Sequence, residues 1–187
     1  MTLSSRESSL ALLDKYSIAT KQHLKQVGTI MEYFAKKTWN DAHYWWTVGI
    51  LHDIDRDFIE KDGMRHLKWD FDKITSEIQL PEELKADIRS HGHFLEGISE
   101  KPDTLVRKYI NAVDELSGFI WAYFRMIPSQ DVMEIKASSI RKKLKDKSFA
   151  AGVDRGEALN CETMLEIPLE TFVEDIKIAL KDGAWTK

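Results

Sequence analysis

The stretch VGILHDIDRDF, residues 48–58, runs three aliphatic residues and a glycine into His52-Asp53, with Asp55, Arg56 and Asp57 close behind. Trp45, Val48, Gly49 and His52 recur at the spacing of one helical row, so the segment reads as a core helix. The polar tail Asp55-Arg56-Asp57 predicts that this helix leaves the core there. His52 and Asp53 are neighbours, about 100° apart on a helix. Both reach one point only if the helix presents its end or edge to it. Gly49, one turn earlier, lets another backbone come close.

Working outward, apolar residues recur at helical spacing along most of the chain, and no convincing alternating strand appears. Pro81, Pro102 and Pro168 each open an acidic stretch, a helix-start signal. The pattern predicts helices at about 4–15, 17–37, 41–54, 64–79, 81–91, 103–126, 131–145, 154–161 and 169–181. The expected fold is an all-α bundle with short connections. It reads as one domain over 1–187, with a core at about 17–126 and C-terminal helices over 131–182 packed on it.

Several of these rows carry an ionisable residue. His23 lies with Val27, Ile30 and Phe34, and His91 with Leu84 and Ile88. Asp114 lies with Ile110, Ser117, Trp121 and Phe124. Four helices therefore aim an imidazole or carboxylate inward, and a buried carboxylate needs a partner. A single inward histidine is more often a hydrogen-bonded core residue. Four such groups on four helices also suit a shared metal ion, since neutral imidazole and carboxylate bind iron, manganese, zinc, nickel or cobalt. Periodicity leaves both readings open. His66 is indifferent by this test, and His43 and His93 fall off the rows.

Composition narrows the function classes. A net charge of −4 gives no footprint for nucleic acid. The single cysteine, Cys161, excludes a disulfide framework and a cysteine-based zinc site. No apolar run is long enough to span a membrane. The start MTLSSRESSL is too polar for a signal peptide, so a cytoplasmic setting is expected.

The order His23, His52-Asp53, Asp114 resembles the HD-domain superfamily of metal-dependent phosphohydrolases. Its signature is a lone histidine, an HD doublet after an apolar run, and a distant aspartate. VGILHDID is similar to the doublet, and NAVDELSG to the final-aspartate helix. Together with ATKQHLKQVGTIMEYFA, IRSHGHF, AVDELSGFIWA and SSIRKKLKDKSFAAGVDR, they resemble one bacterial branch of predicted HD hydrolases over about 17–182. The resemblance implies an HD-like helical bundle with His23, His52, Asp53 and Asp114 as ligands of one divalent metal. By order and context it implies His66 and His91 as ligands of a second ion, with Asp53 bridging the two. It further implies hydrolysis of a phosphomonoester or phosphodiester, in the first place a nucleotide, with Asp53 catalytic. Relatives that use a di-iron centre to activate oxygen, and a catalytically silent nucleotide-binding module, are the alternatives. Many HD enzymes continue the doublet with Ile-Gly-Lys; here Ile54-Asp55-Arg56 follows. Arg56 could grip phosphate with two donors or form a salt bridge with Asp57 or Glu60.

Three further features have two readings each. The basic run 138–147 offers Lys142 and Lys143 as phosphate-binding groups, or is the solvated face of a helix whose apolar side is Ile140 and Leu144. Trp39, Tyr44, Trp45 and Trp46 could stack a base, although core packing is the commoner use of such residues. FIWAYF, 119–124, is apolar nearly all round, which suits a central helix or a homodimer contact.

Overall fold

The computed structural model describes residues 5–59 and 63–181. Among them the architecture is all-helical, with nine α-helices, short 3-10 turns and no strand. Helix α1 spans Arg6–Leu12, α2 Ile18–Lys37 and α3 Ala42–Leu51. Helix α4 spans Trp69–Glu77, α5 Glu82–Arg89 and α6 Leu105–Phe124. Helices α7, Ala137–Leu144, α8, Asn160–Thr163, and α9, Leu169–Leu180, complete the chain. No described helix is long and apolar enough to cross a membrane.

Local chemistry sets the helix starts. Ser17 caps α2 by accepting from Thr20 N, and Asp41 caps α3 by accepting from His43 N and Tyr44 N. Pro81 and Pro168 stand immediately before α5 and α9, as the proline-acid signals predict. Pro102 does not open its helix: α6 begins at Leu105 after Thr104.

Several expected helices are shorter than their periodicity suggests, and that of 154–161 is replaced by a 3-10 turn, Glu157–Leu159, and the short α8. The helix of 41–54 ends at Leu51 and gives way to a turn over 52–59. The stretch 64–68 is a turn, and α4 starts only at Trp69. His91 sits in a 3-10 turn, Ser90–Gly92, after α5. Residues 131–136 hold a 3-10 turn, Val132–Glu134, instead of the first turns of α7.

Helices α2, α3 and α6 form the centre. A Cβ built at Gly49 of α3 would lie 2.8 Å from Gly28 Cα and 2.9 Å from Val27 O of α2. Only glycine at 49 lets these two backbones meet, as the sequence suggests. One continuous hydrophobic cluster runs from Leu13 through Val27, Ile50, Leu116 and Phe119 to Phe172 and Leu180. Phe172 of α9 stacks on Phe34 of α2, ring centroids 4.6 Å apart. The Asp175 carboxylate accepts from Tyr33 Oη at 3.0 Å and pairs with Lys37 at 2.5 Å. In FIWAYF, Phe119, Ile120 and Phe124 are buried, and Phe149 packs edge-on against Phe119 and Tyr123.

Candidate metal centre

The glycine contact between α2 and α3 brings His23 and His52 together. His23 Nε2 lies 3.1 Å from His52 Nε2 and 2.9 Å from Asp114 Oδ1. His52 Nε2 is 3.3 Å from the same Asp114 oxygen. Asp53, in the turn after α3, faces this group with Oδ2, 3.9 Å from His52 Nε2 and 4.0 Å from His23 Nε2. Its Oδ1 points the other way, 3.3 Å from His66 Nε2 and 3.6 Å from His91 Nε2. Those two nitrogens are 3.0 Å apart. All six ligand residues named from the sequence converge: His23, His52 and Asp53 form one group and Asp53, His66 and His91 another, with Asp114 against the first. His66 and His91 reach the cluster from turns, which is why helical periodicity said little about His66.

Three of the imidazoles are fixed in one tautomer. His52 Nδ1 donates to Gly49 O at 2.7 Å, and His91 Nδ1 to Ile88 O at 2.6 Å, since a carbonyl only accepts. His66 Nδ1 donates to Asp55 Oδ1 at 2.8 Å. In their neutral forms these rings turn bare Nε2 lone pairs towards one another and towards two carboxylates. Electron-rich atoms 3.0 Å apart repel unless something positive lies among them. Imidazole and carboxylate around such a point are the donor set of a divalent transition metal, so the residues present fit one.

The electrostatics agree. Burial pushes the Asp53 carboxyl up, but His52, His91 and His66 outweigh it and hold it far below the usual range. Asp114 is lowered in the same way, against burial, by His52 and His23. Burial lowers His91, yet Asp53 and Asp114 raise it to about 9. The two carboxylates thus favour positive charge at His91.

Asp55 corrects the reading of the polar tail. It is fully buried, and its carboxylate accepts from His66 Nδ1 and, at 2.6 Å, from Leu67 N. The core continues through Asp55, because its partners lie eleven and twelve residues away and no local pattern announces them. Asp57, at the surface, accepts from Ser17 N and Thr20 Oγ1, both at 2.6 Å, and Tyr16 Oη donates to Ile54 O. These bonds tie the turn carrying Asp53 to the start of the helix carrying His23. Asn111 holds the turn of His91 by donating to Ser90 O at 3.2 Å, while its Oδ1 lies 3.1 Å from His93 Nδ1.

A cavity of about 390 Å³ opens over the cluster. His23, Asp53 and Asp114 line it, with Thr20, Arg56, Glu115, Gly118 and Gly152 among the others. Arg56 is exposed and makes no ion pair among the described residues, and Glu60 lies outside them. Lys142 and Lys143 do not line the cavity. Lys142 is exposed, whereas Lys143 pairs with Asp146 at 3.0 Å and covers the Phe149 ring. The run is a solvated helix face, with Ile140 and Leu144 buried behind it. Trp45 and Trp46 are core residues, Tyr44 donates to Asp87 at 2.6 Å, and Trp39 is exposed; none lines the cavity. Glu115 and Glu157 were not foreseen. Burial, then the nearby acids, pushes each up to about 7.

The family model described as HD domain matches residues 20–118, just over half of the chain. Searches among curated proteins and among solved structures give no match.

Proposed function

This chain belongs to the HD-domain family, and on that premise we propose that it is a metal-dependent phosphohydrolase. The substrate we propose is a phosphomonoester or phosphodiester, in the first place a nucleotide. One observation carries the reading: two groups of ligand atoms share Asp53 at the floor of a cavity lined also by Arg56, which makes no ion pair among the described residues. His23, His52, Asp53 and Asp114 would hold one divalent ion, and Asp53, His66 and His91 a second.

A bound divalent ion supplies Lewis acidity and lowers the pKa of water that it binds. The chain's own residues do the rest. Gly49 O, Ile88 O and Asp55 keep the Nδ1 protons of His52, His91 and His66, so that Nε2 is the nitrogen each ring would offer to an ion. Asp53 spans both groups and keeps them in fixed relation. Arg56 offers paired N–H donors to phosphate oxygens at the rim. The buried histidines exclude bulk water from the floor, where charge interactions are stronger.

The test is phosphate release from a panel of nucleotides and generic phosphate esters by protein loaded with manganese, iron, zinc, nickel or cobalt. Turnover falling at least about a hundredfold in His52→Ala and Asp53→Ala is expected. Equal turnover in both variants would remove the assignment. Oxygen uptake by iron-loaded protein without phosphate release would replace hydrolysis by oxidation.

A further inference from the structure

The inference drawn here rests on the hydrolytic reading and concerns what the cavity admits. Gly118 lies in the interior of α6, one turn beyond Asp114, and Gly152 lies in the loop after α7; both line the cavity. A glycine inside a helix is about 1 kcal/mol less favourable than alanine, so Gly118 needs a reason. Backbone conformation is not the reason, because Gly97 is the one glycine with positive φ among the described residues. Crowding is not the reason either, since a Cβ built at Gly118 or at Gly152 meets nothing within 4 Å. Gly49 is the contrast, pressed against the backbone of α2. What remains in front of both glycines is the space of the cavity.

A separate observation says that this space takes a ligand. The Asp53 carboxylate is 6% exposed and lines the cavity. Four imidazole nitrogens stand 3.3 to 4.0 Å from it, and among the described residues no donor outside these rings reaches it. The rest of the wall is equally telling. Among the described residues the one ring that lines it is the imidazole of His23, already placed with the metal ligands, and no side-chain amide lines it. Bases are recognised by stacking on aromatic faces and by hydrogen bonds to their edges. A volume of about 390 Å³ is near the small end for ligand pockets.

We propose that Gly118 and Gly152 are specificity-determining residues that keep open the room for the alcohol portion of a small phosphomonoester. The site then selects by bulk and leaves the base of a nucleotide unread.

The experiment compares wild type with Gly118→Ala, Gly118→Leu and Gly152→Leu. Binding of glycerol phosphate, ribose 5-phosphate and the four common nucleoside monophosphates is measured by calorimetry, and phosphate release from the same compounds with manganese. The four nucleotides should bind wild type within about threefold of one another, and each leucine variant should weaken ribose 5-phosphate and the nucleotides about tenfold or more relative to glycerol phosphate. Gly118→Ala should raise Tm by about 2–4 °C, because it removes a helix-interior glycine without a clash. Leucine variants that leave the ranking of ligands unchanged, or a base preference above about tenfold, would overturn the proposal. The expected binding pattern without phosphate release under any metal would uphold it and sink the hydrolytic reading alone. No binding of any of these compounds to wild type would sink both.

Discussion

Asp55 and Glu157 show how single carboxylates act on the centre without being ligands. Asp55 fixes the tautomer of His66 and also satisfies the buried Leu67 N–H, so removing its charge should loosen one group of ligands and spare the other. In Asp55→Asn, a manganese titration should show the step assigned to His66 and His91 weakened about 10- to 100-fold, the usual cost of losing a ligand's support. An unchanged titration would deny Asp55 that role. Glu157 acts through charge. Burial, Asp154 and Asp114 raise its carboxyl to about 7, and His91 offsets this in part. A raised acid contributes stability in full below its unfolded value of 4.5 and loses it as pH climbs through about 7. The metal-free protein should therefore weaken between those values. Glu157→Gln should be more stable than wild type at pH 8, by about 1 kcal/mol once its half-exposed position is allowed for, and no more stable at pH 4. Denaturant unfolding at the two pH values checks this, and equal differences at both would contradict it.

The glycine seam between α2 and α3 explains why these elements deliver His23 and His52 to one point. Gly49→Ala would drive a methyl to 2.8 Å from backbone atoms that cannot rotate away. It should destabilise the protein by about 1–3 kcal/mol and weaken metal binding, because the helices must separate. Gly28→Ala is the comparison: its nearest contacts are ordinary ones at 3.4 Å, mostly to the Ile50 side chain, and a much smaller loss is expected. Denaturant midpoints of the two variants decide, and equal losses would refute the seam. The same elements show what the sequence can and cannot tell. The helical rows of α2, α3 and α6 carried His23, His52 and Asp114 to the core, because a 3.6-residue period is a local signal. The ends of α3 and α5 and the start of α4 were not legible, because Asp53, His66 and His91 sit in turns held from a distance, by Asp55 and Asn111. Resemblance supplied His66, which periodicity alone could not. Asp55 was misread because charged runs usually mark a surface, and its partners eleven and twelve residues on keep it inside.

At the scale of the whole molecule, the family match ends at residue 118, yet the hydrophobic cluster continues through α7, α8 and α9. Phe172 and Leu180 are fully buried, and Phe172 stacks on Phe34 of the helix that carries His23. Arg141 of α7 pairs with Glu162 of α8 at 2.5 Å and with Glu170 of α9, which binds the C-terminal helices to one another. If these helices and the matched region share one core, damage in α9 must be felt at the metal centre. Phe172→Ala should lower stability by about 3–5 kcal/mol, the cost of an aromatic cavity in a rigid core, in one cooperative transition. If metal binds only the folded chain, as the proposed centre requires, manganese at a hundred times its dissociation constant should return about 2.7 kcal/mol to wild type and variant alike. Unfolding in denaturant, followed by near-UV circular dichroism with and without manganese, measures both terms. Two separated transitions in Phe172→Ala, only the later one shifted by metal, would mean that the C-terminal helices form a unit apart from the centre.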